Sequence, residues 1–188
     1  CDYYFLRKLA QVMREGDYQV TATLDYSRRR YRFPYLLNVE PGDTTQRHFA
    51  LAVDIGTTTI WVELIDLARG EILGHSADYN GQLSYGDDVI ARIIYSQKEQ
   101  GLQKLQRSAA ASINQIMHRL LKRHQVTVDE VSHLTLAGNT TMTHLFYGLE
   151  PKYIRLAPYC PAVCNIPLTR ARDLGLDLPP HVFICCVS

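Results

Sequence analysis

Two short stretches carry residue types suited to holding phosphate: "AVDIGTTT" at 52–59 and "LAGNTTM" at 136–142. In the first, Asp54 is followed after one residue by Gly56, Thr57, Thr58 and Thr59. A hairpin at this point presents successive backbone N–H groups as a concave nest for an anion, provided that glycine lets the backbone approach closely. The threonine hydroxyls add donors. Asp54, at the end of the leading strand, is the candidate catalytic residue and a candidate to hold a magnesium ion directly or through its water shell. Threonine also favours strands and glycine punctuates them, so an ordinary hairpin edge accounts for the same letters. In the second stretch Gly138 and Asn139 end an apolar run, and Thr140 and Thr141 open a helix whose first N–H groups have no partner in the helix itself. Gly138, Asn139, Thr140 and Thr141 are therefore candidates for the same anion, with a plain helix cap at Asn139 or Thr140 as the competing account.

The elements around these stretches follow from periodicity. Residues 3 to 15 place Phe5, Leu6, Leu9, Val12 and Met13 at helical spacing before Gly16, and two alternating stretches, "YQVTATLDY" and "RYRFPYLLNV", predict strands. The turn-rich "EPGDTTQRH" marks a boundary, dividing a small α+β unit (1–45) from a larger one (46–188). Beyond it "FALAVDI", "TTIWVELIDL" and "GEILGHSA" predict three antiparallel strands. A helix is expected over "YGDDVIARIIYSQ", with Asp87 and Asp88 in its first turn, where the dipole favours negative charge. A longer helix runs from about Leu102 to His124, with one apolar stripe at Leu102, Leu105, Ala109, Ile113, Ile116 and Leu120. The nearly continuous apolar "VSHLTLA" predicts a strand buried on both faces. The proline-rich tail predicts irregular structure, a helix near "LTRARDLGL" and a buried strand at "VFICCVS".

Bulk composition narrows the function classes. The 188 residues carry 20 Lys and Arg against 19 Asp and Glu, a net charge of +1, which gives no field for nucleic acid or an anionic membrane. The run Arg28-Arg29-Arg30 is expected at a solvated strand edge. No apolar run approaches the roughly 20 residues that span a bilayer, and no signal-peptide order is present, so a cytoplasmic location is expected. Five cysteines, an odd number in a chain of this size, favour reduced thiols; Cys160, Cys164, Cys185 and Cys186 lack the usual zinc spacing. The chain begins at Cys1 and stops in the apolar run before Ser188, as expected of a piece of a longer protein.

The order of three strands opening with "AVDIGTTT", a helix, a longer helix and an apolar strand resembles the first half of the actin, sugar kinase and heat-shock ATPase superfamily. The resemblance implies a ribonuclease H-like α/β fold, the first half of an actin/sugar-kinase-type ATPase domain, preceded by a small α+β linker domain. Closer still, "LAVDIGTTTIWVELIDLARGEIL", "NGQLSYGDDVIARI" and "LAGNTTMTHLFYGLEP" together resemble the reductive activators of corrinoid proteins, over about Leu51 to Pro161. These are iron–sulfur ATPases that return an inactivated cobalt centre to Co(I) for methyl transfer. The resemblance implies ATP and Mg2+ at the two threonine turns, a corrinoid protein as partner, and a [2Fe–2S] cluster carried by a ferredoxin domain. No C-x4-C-x2-C spacing for that cluster exists in this sequence. The family's second phosphate loop and adenosine site are expected beyond Ser188, so this piece holds half of a nucleotide cleft. Its open side predicts self-association, a homodimer in the simplest case. Gly81 stands where the family usually has proline and is expected to loosen the loop before the helix. A small-molecule kinase of the same superfamily and a non-catalytic module of the same fold are the alternatives; the strand-end Asn139, in place of a carboxylate, counts against the kinase.

Overall fold

The first helix forms where the apolar residues repeat at helical spacing: α1 spans Tyr3–Glu15 and ends before Gly16. The computed structural model describes residues 3–26 and 34–187, so Cys1 and the Arg28-Arg29-Arg30 run lie outside the described residues. Strands β1 (Val20–Asp25) and β2 (Tyr35–Pro41) pair antiparallel in a two-stranded sheet, with α1 against β2.

A second sheet opens with β3 (Phe49–Ile55), β4 (Thr59–Asp66) and β5 (Glu71–Tyr79), antiparallel as the short connections require. Two helices then cross over it: α2 (Val89–Ser96) and α3 (Gly101–Arg123). The long crossover lets β6 (Val131–Gly138) return parallel to β3 on the side away from β4. Helix α4 (Thr140–Tyr147), the two-residue β7 (Thr169–Arg170) and β8 (Phe183–Val187) complete the unit, with β8 parallel to β6. The strand order β5-β4-β3-β6-β8-β7 is that of the actin-like ATPase-type fold expected from the sequence.

Alternation along the strands decides which face is covered. Leu51, Val53 and Ile55 of β3 and Ile60, Val62 and Leu64 of β4 are buried in one cluster with Leu105, Ala109, Ile113, Ile116 and Leu120 of α3. Each such leucine or isoleucine contributes about 1.5–3 kcal/mol on full burial. The opposite face has no helix over it among the described residues. There Asp54 and Trp61 are exposed, and Trp61 stacks on His75 with ring centroids 4.3 Å apart.

The structure corrects several expectations. Strand β6 is not buried on both faces: His133, Thr135 and Ala137 are half-buried on the uncovered side. Asp88 is not inside the first turn of α2 but caps it, accepting from the Ala91 N–H at 2.7 Å, because a short acceptor just before a helix satisfies an orphan amide. The segment before it is a 3-10 turn at Gly81–Tyr85. Near "LTRARDLGL" only a 3-10 turn at Ala171–Leu174 forms, and in β8 Cys185 is exposed rather than buried. Gly81 does not loosen its loop. Its N–H donates to Ser112 Oγ at 3.0 Å, a bond that proline lacks the hydrogen to make, and a Cβ there would lie 2.7 Å from Ser108 Oγ.

Candidate functional site

Parallel pairing of β3 with β6 puts the two threonine turns side by side. Ile55 is registered with Gly138 and Asp54 with Ala137, so both strands end at the same edge of the sheet. Gly138 permits this approach: a Cβ on it would lie 3.1 Å from the Ile55 carbonyl oxygen. In open α/β sheets, the carboxyl ends of parallel strands are where ligands bind.

The turn between β3 and β4 is held by its carbonyls. Gly56 O accepts from the Asn80 side chain at 2.9 Å, Thr57 O from the Arg92 guanidinium at 2.6 Å, and Thr58 O from the Asn80 N–H at 2.8 Å. Asn80 and Arg92 are fully buried and belong to the helical layer. In a trans peptide the C=O and the following N–H point in opposite directions. The carbonyls of Gly56 and Thr57 are drawn toward the helices while Thr58 O extends the β4–β5 ladder, so the N–H groups of Thr57 and Thr58 point away from the helices, and they donate to nothing among the described residues. Gly56 closes the turn, its N–H bonded to Thr59 O at 3.0 Å. Successive outward amides of this kind form an anion-binding concavity.

Asp54 lies on the uncovered side of the sheet, opposite Val53 and Ile55, whose side chains enter the core. It borders a cavity of ≈ 270 Å³ with Trp61, Glu63, Thr135 and Ala137. The outward amides and the Asp54 carboxylate thus both stand away from the helical layer.

At the second turn the cap account holds for one residue. Asn139 caps α4, its side chain accepting from the Met142 N–H at 2.9 Å. Thr141 is buried. Thr140 is exposed and lines a different cavity, of ≈ 180 Å³, with His144 and Cys164. The Thr140 and Thr141 amides have no acceptor among the described residues, so this turn offers backbone donors beside the first. Replacing Asn139 with alanine is expected to cost about 0.5–2 kcal/mol in urea unfolding of the full-length protein; wild-type stability would remove the cap.

Sequence reasoning missed Asn80, Gln82 and Arg92 as site residues. Gln82 Oε1 accepts from Arg92 at 3.2 Å, and its amide group donates to Leu105 O at 3.0 Å, fastening the network to α3. The available signal was an arginine in the middle of an otherwise apolar helix, "VIARIIYS".

Two family models match nearly all of the chain: a RACo linker region over residues 1–46 and a RACo middle region over residues 49–188. The chain belongs to the RACo family. A corrinoid activation enzyme, RamQ, of Eubacterium limosum is 32% identical over 133 residues, 70% of this chain and 22% of RamQ. A solved reductive activator for a corrinoid, iron–sulfur protein superposes with a TM-score of 0.86 at 40% identity, over 99% of this chain and 29% of its own. The RACo-family chain thus spans less than a third of either relative.

The residues present fit a magnesium-bound polyphosphate, with outward amides beside an exposed carboxylate on one side of the sheet. They do not fit an iron–sulfur cluster. Among the described residues no three His, Cys, Asp or Glu side chains come together as a metal-binding group, and Cys160, Cys164, Cys185 and Cys186 are free thiols. Nor is any described helix long and apolar enough to cross a membrane.

Proposed function

We propose that this chain forms the linker domain (1–45) and the first part of the ATPase domain (46–188) of a reductive activator that uses ATP to restore Co(I) in corrinoid proteins of methyl-transfer systems. The observation that carries this reading is the turn at 56–59, where the Gly56 and Thr57 carbonyls are tied back to buried side chains and the amides of Thr57 and Thr58 are left free, a few residues along the chain from the exposed Asp54. The likeness to RamQ and to the solved activator supports a corrinoid protein as the partner. On this reading the amides of Thr57 and Thr58 and the exposed Thr59 hydroxyl hold phosphate oxygens, with Gly56 allowing their approach. Asp54 holds magnesium, and the free amides of Thr140 and Thr141, set next to Gly138 and the Asn139 cap, complete the cradle. Bound magnesium neutralises phosphate charge and orients the nucleotide. The reducing electron comes from a [2Fe–2S] domain outside the described residues, and the site works in the cytoplasm with the corrinoid protein as its partner.

Reduction of Co(II) to Co(I) is uphill for an ordinary [2Fe–2S] donor, so nucleotide must alter the complex for the electron to pass. The test uses the full-length protein with the corrinoid protein of its own methyl-transfer system and a chemical reductant. Co(I) absorbance is expected to rise with MgATP and not without it. Equal Co(I) formation with and without nucleotide would remove ATP from the function.

A further inference from the structure

Arg92 is the most conspicuous charge in the protein, because it is wholly buried and no carboxylate pairs with it among the described residues. Its guanidinium donates to neutral acceptors: Thr57 O at 2.6 Å, Gly86 O at 2.9 Å, Gln82 Oε1 at 3.2 Å and Met142 Sδ at 3.2 Å. Burial lowers its pKa, while Asp87 and Asp88 raise it only through space, and Asp88 is already engaged as the cap of α2. An arginine in protein stays charged. Neutral acceptors need donors but not a full charge, and an uncharged donor would satisfy them without the cost of burying one. The charge gains a purpose if an anion completes it.

We propose that Arg92 is the positioning residue of the turn at 56–59 and the fixed counter-charge for a polyphosphate bound there. It acts through the backbone rather than by touching the ligand. Its hydrogen bond to Thr57 O polarises the peptide whose other end is the outward Thr58 N–H, so a buried cation strengthens an exposed donor. Its contact with Met142 Sδ reaches α4, so one guanidinium touches the supports of both turns. The inference rests on the phosphate-binding reading proposed above, but it concerns the anion alone and is testable without ATP turnover.

The experiment is calorimetric titration of the full-length protein and its Arg92→Met and Arg92→Lys variants, each below its own melting temperature. The probes are magnesium pyrophosphate, MgATP and adenosine. Arg92→Met is expected to weaken pyrophosphate and MgATP at least tenfold and to leave adenosine affinity unchanged. Arg92→Lys, which keeps the charge but loses the planar fork, is expected to recover part of that loss. If the methionine variant does not fold, the lysine variant decides. Wild-type pyrophosphate affinity in any folded Arg92 variant overturns the inference, as does an equal loss for adenosine and MgATP. A wild-type protein that binds no pyrophosphate overturns it as well. Pyrophosphate binding that depends on Arg92, in a protein whose Co(I) formation ignores ATP, sinks the activator reading and leaves this one standing.

Discussion

Gly56→Ala in the full-length protein is expected to abolish the stabilisation conferred by MgATP and to lower intrinsic stability by about 1–3 kcal/mol. The cause is steric. A Cβ at this position would lie 2.6 Å from the Thr59 carbonyl oxygen, a backbone atom that cannot swing aside as a side chain would. The turn must open to admit it, which disturbs the bond from Gly56 N–H to Thr59 O and draws the carbonyls of Gly56 and Thr57 from Asn80 and Arg92. Once those carbonyls rotate, the amides behind them rotate too, and the concavity is lost. Thermal unfolding with and without MgATP measures both effects, since a ligand that binds only the native state raises stability with its occupancy. A variant that melts like wild type and keeps the whole ATP-induced shift would falsify the tight-turn assignment.

Asp54→Asn separates the metal from the fold. Asp54 is an exposed strand-end residue, so the substitution is expected to change stability by no more than about 0.5 kcal/mol. ATP turnover by the full-length protein is expected to fall about 10- to 100-fold, the range for losing one group that holds a metal or its water shell. The loss should be smaller at high magnesium, because mass action partly restores occupancy. Unchanged turnover at limiting magnesium, in a variant of normal stability, would remove Asp54 from the site.

Much of the fold was legible because alternation and helical spacing dominate in the long elements. The stripe from Leu105 to Leu120 placed α3 to within a residue at each end, and "AVDIGTTT" announced the β3–β4 turn. What stayed hidden depends on contacts between distant segments. "VSHLTLA" looked buried on both faces because Ala137 and Thr135 are small enough to sit on an uncovered surface without altering the apolar pattern. Gly81 looked permissive, yet its role is set by Ser108 and Ser112, about thirty residues away. Arg92 escaped notice for the same reason: a charged residue on a helix is ordinarily solvated, and nothing local to "VIARIIYS" shows that Thr57 O and Gln82 will meet it inside. Asn139 was legible as both cap and ligand, and only its bond to Met142 N–H assigned the side chain to the cap.

The attachment of residues 80–86 to α3 also bears on how quickly a ligand can come and go. A binding loop that orders only when occupied loses roughly 1–2 kcal/mol of backbone entropy per residue at that moment. Here Gln82 bonds to Leu105 O, Gly81 to Ser112, and Asn80 to two carbonyls of the turn, so that ordering is completed on folding. On the proposed reading, a polyphosphate arriving at the 56–59 turn would meet a surface ordered in advance, and its capture would proceed at the pace of encounter and water release rather than of loop ordering. If nucleotide binds as proposed, its residence time is then set by contacts other than the ordering of this turn.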